Sequence, residues 1–289
     1  MKKAVISMDV EDWYHLDYFD RNNCNQKVSM LDGFGRFREI LNNNGIKTTF
    51  FVLGEIVHGR LLEELVESIK DGHEIANHGW NHKRPLQMSI KEFRDDLARS
   101  KAALEDLLQI EVKGYRAPCF SLDIERLNVV HQTGHLYDSS CMRCVGHPLY
   151  GNLDLSQYQQ LSKNIYTKNG FFEFEVSSAK AIGRNIPVSG GGYIRIFPWF
   201  LMKWLLMKYL ENADLYILYI HPFELSQVNT PTTPPNTKWS TNRRFSLGRH
   251  NVDVKLNKLI SLLKQRGFEF TTFNELRNDL VLENLDTIL

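Results

Sequence analysis

His78 and His82 stand four residues apart in GHEIANHGWNH. On a helical turn that spacing puts both imidazoles on one face. There they can hold a divalent ion, with a carboxylate as the third ligand. Gly79 follows the first histidine, so the pair is not HExxH and brings no general-base glutamate with it. Carboxylates are available at the start of the chain, where SMDVED carries Asp9, Glu11 and Asp12. Arg116 in GYRAPCF and His221 in ILYIHP add a permanent positive charge and a third imidazole. Each of these has a plain structural explanation when taken alone. Acidic residues after a strand cap helices, an arginine forms a surface ion pair, and a histidine at a strand end is a satisfied core residue. Trp13, Tyr14 and Trp80 read equally well as core aromatics. The joint placement argues for more, because every polar set follows a β-like run.

Those runs alternate with helical periods. Residues 3–9 read as a strand, 32–43 as a helix closed by Gly45, and KTTFFVL (47–53) as a strand. A helix over 55–70 ends at Asp71-Gly72, and a short strand follows at 73–76. Ser89 caps a helix to about residue 108, with Glu92 at the capping-box position. Strands near 112–115 and 135–137 flank a helix at 123–132. From 139 to 195 the pattern is irregular, with short strands near 171–176 and 192–196. A helix at 198–211 leads into the buried strand that ends at His221. Residues 226–250, rich in Pro, Thr and Asn, read as a long loop, and helix, strand and helix follow at 252–265, 268–271 and 273–282. Strand–helix alternation predicts an α/β fold with a parallel sheet, closed or partly closed into a barrel. In such barrels active sites lie at the C-terminal ends of strands, which is where the polar sets fall.

The 289 residues suit one domain spanning 1–289, and no internal repeat or boundary is visible. A formal net charge of +1 gives no global field toward nucleic acid or an anionic membrane. MKKAVISMDVED places acidic residues too early for a secretion signal. No apolar stretch reaches the roughly 18 residues of a membrane span. The reading is a soluble, cytoplasmic protein. Cys24, Cys119, Cys141 and Cys144 show no framework spacing. The Cys141–Cys144 pair, with His147 nearby, allows a redox or zinc role, but free thiols are preferred.

With these residues in view, the chain resembles the polysaccharide deacetylases of carbohydrate esterase family four, the NodB-type domain, over roughly residues 3–280. SMDVED resembles the first family motif, HGWNH the second, RAPC the third, and His221 in LYIHPFEL the late L-x-H motif. The likeness is closest to the peptidoglycan-deacetylase-like branch. It implies a distorted (β/α) barrel of about seven parallel strands and a hydrolase that removes an N-acetyl group from an amino sugar. One divalent metal ion, most commonly zinc, would be held by a carboxylate with His78 and His82. Asp9 would be the general base, oriented by Arg116, and His221 the general acid. The motif's second aspartate is Val10 here, so the metal carboxylate is Glu11 or Asp12. Glu11 shares strand parity with Asp9 and is favoured. Cys119 replaces an aromatic, and its N–H would hold the oxyanion. Trp13, Tyr14, Trp80 and Cys119 are the candidate substrate contacts.

A cytoplasmic location points to a lipid- or nucleotide-linked precursor in surface polysaccharide biosynthesis as the substrate, with no nucleic-acid partner. The altered first motif keeps two alternatives open: another C–N hydrolase on the same scaffold (an amino-sugar deformylase or an allantoinase-like enzyme), or a non-catalytic sugar-binding module.

Overall fold

The computed structural model describes residues 2–143, 149–181 and 184–286. Its organising element is β1 (Lys3–Val10), which is buried from Ala4 onward. A parallel strand covered on both faces reads as a nearly continuous apolar run. Ala4, Ile6, Met8 and Val10 join one core cluster, while Val5 belongs to a second. Ser7, Asp9 and Glu11 continue the parity of Val5, because side chains alternate between faces.

The other elements follow in chain order. The first half holds α1 (Asp32–Asn44), β2 (Thr49–Val52), α2 (Gly59–Lys70), β3 (Glu74–Asn77), α3 (Ile90–Leu108), β4 (Gly114–Tyr115), α4 (Ile124–Gln132) and β5 (Tyr137–Asp138). Next come β6 (Gln159–Ser162), β7 (Ile165–Lys168), β8 (Phe171–Phe174), β9 (Ser178–Ala181) and β10 (Arg184–Pro187). Then follow α5 (Gly191–Ile196), α6 (Trp199–Leu210), β11 (Leu215–Ile220), α7 (Pro222–Leu225), α8 (Trp239–Ser246), α9 (Val252–Gln265), β12 (Glu269–Phe270) and α10 (Phe273–Asp286).

The sheet order is β11-β1-β2-β3-β4-β5-β8-β7-β6, with β12 on β1. Pairing is parallel from β11 to β8, which is seven strands, and antiparallel through β7 and β6. The sheet curls, because Val5, Phe51, Ala76, Tyr137, Phe172 and Ile217, drawn from six strands, meet in one inner cluster. No ladder among the described residues joins β8 to β11. Ser177 bridges that side instead: its Oγ accepts from Ile217 N–H at 2.9 Å and donates to Tyr209 Oη at 2.9 Å. Apolar faces of α1, α2, α3, α6 and α9 pack on the outer cluster.

Three expectations change. Residues 192–196 lie in α5, not in a strand, because a short apolar run carries no reliable period. The irregular 139–195 stretch contains the β6–β8 meander and the β9–β10 hairpin. The loop at 226–250 contains α8, seated by Phe245, which is fully buried. Cys144 and His147 lie outside the described residues, and Cys24, Cys119 and Cys141 are free thiols.

Candidate active site

Asp9 and Glu11 emerge at the C-terminal end of β1 and are 2% and 1% exposed, so their charges must be met inside the protein. Arg116, which follows β4, meets the first. Its Nη1 donates to Asp9 Oδ1 at 2.7 Å and to Ser7 Oγ at 2.8 Å. Its Nε and Nη2 donate to Ser139 O and Oγ, each at 3.0 Å. The guanidinium lies 4.0 Å from the Phe51 ring centre. A buried arginine without such partners would be costly. Here every edge of its fork is used, and Asp9 is held in one orientation.

His78 follows β3 directly. Its Nδ1–H donates to the Arg116 carbonyl at 2.8 Å, which leaves Nε2 as the lone-pair face. His82 arrives by a loop and not by a helical turn, so the expected helical geometry is corrected. Gly79 (φ 84) and His82 (φ 65) are both left-handed, and that backbone brings the two rings to 5.4 Å between centres. A side chain at Gly79 would be strained at this φ, which explains a glycine in this motif position. Asn77 fastens the turn, accepting from Gly79 N–H at 2.8 Å and from Ser100 Oγ at 2.7 Å. Its amide in turn lies 3.2 Å from His135 Nε2.

His135 gives this scaffold an acid sensitivity. Burial pulls its pKa down to about 3. A histidine kept neutral by folding contributes stability above its ordinary pKa of 6.5 that is lost as pH falls toward about 3. Between pH 6.5 and 5 the loss should be on the order of 2 kcal/mol. Urea midpoints at the two pH values measure it. His135→Gln, which has nothing to titrate, should remove the His135 share of that acid loss, while His73 and His78, also held low by burial, keep theirs.

Glu11 reaches both histidine elements. Its Oε2 is 2.7 Å from His82 Nε2 and its Oε1 is 3.5 Å from His221 Nε2. Burial alone would raise its pKa, but His82, His221 and His78 together pull it down to about 2. The same pairing raises His82 against its own burial, and burial lowers His78 to about 4.

His221 closes β11 and starts α7 as its N-cap. Its Nδ1 lies 3.4 Å from Glu224 Oε2, and Glu224 is paired in turn with Arg195 at 3.4 Å. Burial opposes protonation of His221, yet the Glu224 carboxylate, with Glu11 and Asp9, raises it to about 9. Glu224 comes so close to α5 that a Cβ on Gly191 would meet its Oε2 at 1.7 Å. The HPFE capping box is a sequence signal for Glu224; Arg195 and Gly191 have none.

These groups face one cavity of about 70 Å³. Its wall includes Asp9, Glu11, His78, His82, Cys119 and His221, together with Asp17, Tyr18, Phe120, Tyr150 and Tyr219. Cys119 has φ 53 and its Sγ donates to Asp17 Oδ2 at 2.8 Å. Near the N-terminus of a 3-10 turn, its N–H has no intrahelical acceptor. Arg116 lies behind Asp9 and outside the cavity wall.

Four sequence candidates lie elsewhere. Asp12 caps a turn: its Oδ1 accepts from Trp13 N–H at 2.8 Å and from Met30 N–H at 2.9 Å. Trp13 is fully buried with Phe19, Phe223 and Phe245, and its Nε1 donates to Val28 O. Tyr14 packs on His15, with ring centres 4.5 Å apart. Trp80 lies under Arg99, 3.6 Å from its ring centre, and against Gly54. Adjacency to a motif says nothing about side-chain direction. The cavity's aromatics are Tyr18, Phe120, Tyr150 and Tyr219.

The donor set fits a divalent ion. Ligand atoms of Glu11, His78 and His82 all lie within 4.8 Å of one another. Imidazole nitrogens and a carboxylate oxygen are the donor types that zinc takes. Glu11 Oε2 is buried and makes no hydrogen bond of proper geometry, despite the nearby His82.

Residues 31–137 match the polysaccharide deacetylase family, and residues 139–278 match a family described as a domain of unknown function. The two matches share one sheet, because β5 pairs with β8, and β1, which precedes both matches, pairs with β2 and β11. A peptidoglycan deacetylase-like protein of Gibberella zeae is 33% identical over 148 residues, covering 48% of this chain and 43% of that relative. A peptidoglycan deacetylase of Helicobacter pylori is 21% identical over 261 residues, covering 87% of this chain and 85% of the relative. Among solved structures, a Mycobacterium smegmatis protein assigned to the polysaccharide deacetylases superposes with a TM-score of 0.61 at 17% identity, over 98% of this chain and 92% of that one. A family 4 acetyl xylan esterase of Clostridium thermocellum, solved with cobalt, gives 0.52 at 17% identity, over 95% and 90%. Residues 31–137 thus carry the polysaccharide deacetylase match, the chain as a whole is similar to a peptidoglycan deacetylase, and it spans less than half the length of the Gibberella zeae relative.

Proposed function

We propose that this enzyme is metal-dependent and releases acetate from an N-acetylated amino sugar, either in a polysaccharide or in its lipid- or nucleotide-linked precursor. The carrying observation is that Asp9, Glu11, His78, His82 and His221 all line one cavity. Glu11, His78 and His82 would hold the ion, with zinc the leading choice. When bound, the ion supplies Lewis-acid activation of water and of the amide carbonyl.

The protein's own groups do the rest. Asp9 takes the proton from the attacking water, and Arg116 keeps its carboxylate aimed into the cavity. The Cys119 N–H stabilises the oxygen that gains charge. His221, protonated by virtue of Glu224, passes its proton to the amine as it leaves. Tyr18 and Tyr150 line the cavity and are the candidate contacts for the sugar.

Acetate release from a panel of N-acetylated glycans and precursors, with and without chelator, tests the reading. Release that stops on chelation and returns with added zinc supports it. Sugar binding with no release under any condition would show a non-catalytic module. Gly191→Ala probes the acid. The added methyl must displace Glu224 and with it His221, so turnover should drop roughly 10²-fold. Metal content should stay unchanged by elemental analysis.

A further inference from the structure

The surface helix α6 is apolar on both sides. Met202, Leu205, Leu206 and Tyr209 fill the core on one side. On the other, Phe200 is 76% exposed and Trp204 45% exposed, at the four-residue spacing of a single face. The stripe continues to Lys208, whose Nζ lies 4.8 Å from the Trp204 ring centre. Beside it, Lys203 of α6 and Val254 and Lys258 of α9 line one shallow hollow. Val254 is itself 48% exposed. From Arg195 to Lys208 the sequence carries three basic residues and no acidic one. A surface helix with a polar outer face needs no partner; one that is apolar all round does.

We infer that this face docks on an anionic lipid surface. Exposed Trp and Phe interleaved with lysines are the chemistry of a helix lying in the membrane interface. The aromatic rings suit the headgroup boundary, and the lysines suit anionic headgroups. The contact is peripheral: α6 has 12 residues, and no helix among the described residues is long and apolar enough to cross a membrane. A second copy is a poor occupant. A two-fold pairing of this face would set the basic patch of Lys203, Lys208 and Lys258 against the same basic patch of the other copy.

A path of contacts links the segment before α6 to His221. Ile196, 36% exposed, follows Arg195, which pairs with Glu224, and Glu224 pairs with His221. Docking would hold the protein at the surface where a lipid-linked amino sugar presents its headgroup. That use rests on the proposed deacetylase function; the lipid contact itself does not.

The test is co-sedimentation of the full chain with vesicles of phosphatidylcholine, alone or with one quarter phosphatidylglycerol. Binding is expected to the anionic vesicles and to weaken with salt. Phe200→Ser with Trp204→Ser, and separately Lys203→Glu with Lys208→Glu, should each weaken it by roughly tenfold or more. Neither pair should alter the melting temperature or the turnover of a soluble N-acetylated oligosaccharide. No binding to anionic vesicles, or binding indifferent to both pairs, overturns the inference. So does a dimer in sedimentation equilibrium that Phe200→Ser dissolves. Vesicle binding without turnover of any amino sugar would uphold the docking face and sink the deacetylase reading alone.

Discussion

Asp9→Asn is expected to retain its metal and lose roughly 10²–10⁴-fold in turnover, the scale of a removed general base. The substitution is sterically silent. Asparagine keeps an oxygen that can accept from Arg116 Nη1, now at 2.7 Å from Asp9. The guanidinium also keeps Ser7 and both Ser139 bonds. What disappears is the carboxylate's charge and its capacity to take a proton. Some stability should go with the charge. Removing a buried partner outright costs about 3–5 kcal/mol, and asparagine, which preserves the hydrogen bond, should cost less. Metal analysis, a melting curve and initial rates on the same preparation separate these effects. Wild-type turnover in a folded, metal-loaded Asp9→Asn would remove Asp9 from the chemistry.

The second large effect concerns the ion. His78→Ala removes a proposed metal ligand whose ring is oriented by the Arg116 carbonyl. Elemental analysis should show loss of the bound metal, and turnover should fall to background. Glu11→Gln should behave alike. Asp12→Ala is the discriminating control. Asp12 caps the turn after β1 and holds Met30 N–H, so its loss should cost about 1 kcal/mol in urea unfolding. Metal content should not change. A metal-free Asp12→Ala beside a metal-loaded Glu11→Gln would reverse the assignment of the third ligand.

Much of this site is legible in the sequence because its logic is local. The period of two along β1 puts Asp9 and Glu11 on one face, whatever the rest of the chain does. His78 and His82 are recognisable from type and spacing, and His221 and Arg116 from their places after strands. Other features are legible only after folding. His82 reaches His78 through two left-handed residues, a path that spacing does not reveal. Trp13 lies beside the motif yet belongs to a cluster with Phe223 and Phe245 from far along the chain. Arg195 and Gly191 act on His221 only through Glu224.

The amino-acid sequence alone determined the chemical inventory: the acid and base types, the strand period that presents them, and the parallel α/β class. Short-range sterics and hydrogen bonding suffice for these. The tertiary structure decided which carboxylate faces the histidines, because the amide of Met30 takes up Asp12. It also decided which aromatics line the cavity, through walls drawn from Asp9 to His221. Those outcomes depend on long-range packing, where a side chain's direction is set by what excludes it as much as by its own backbone.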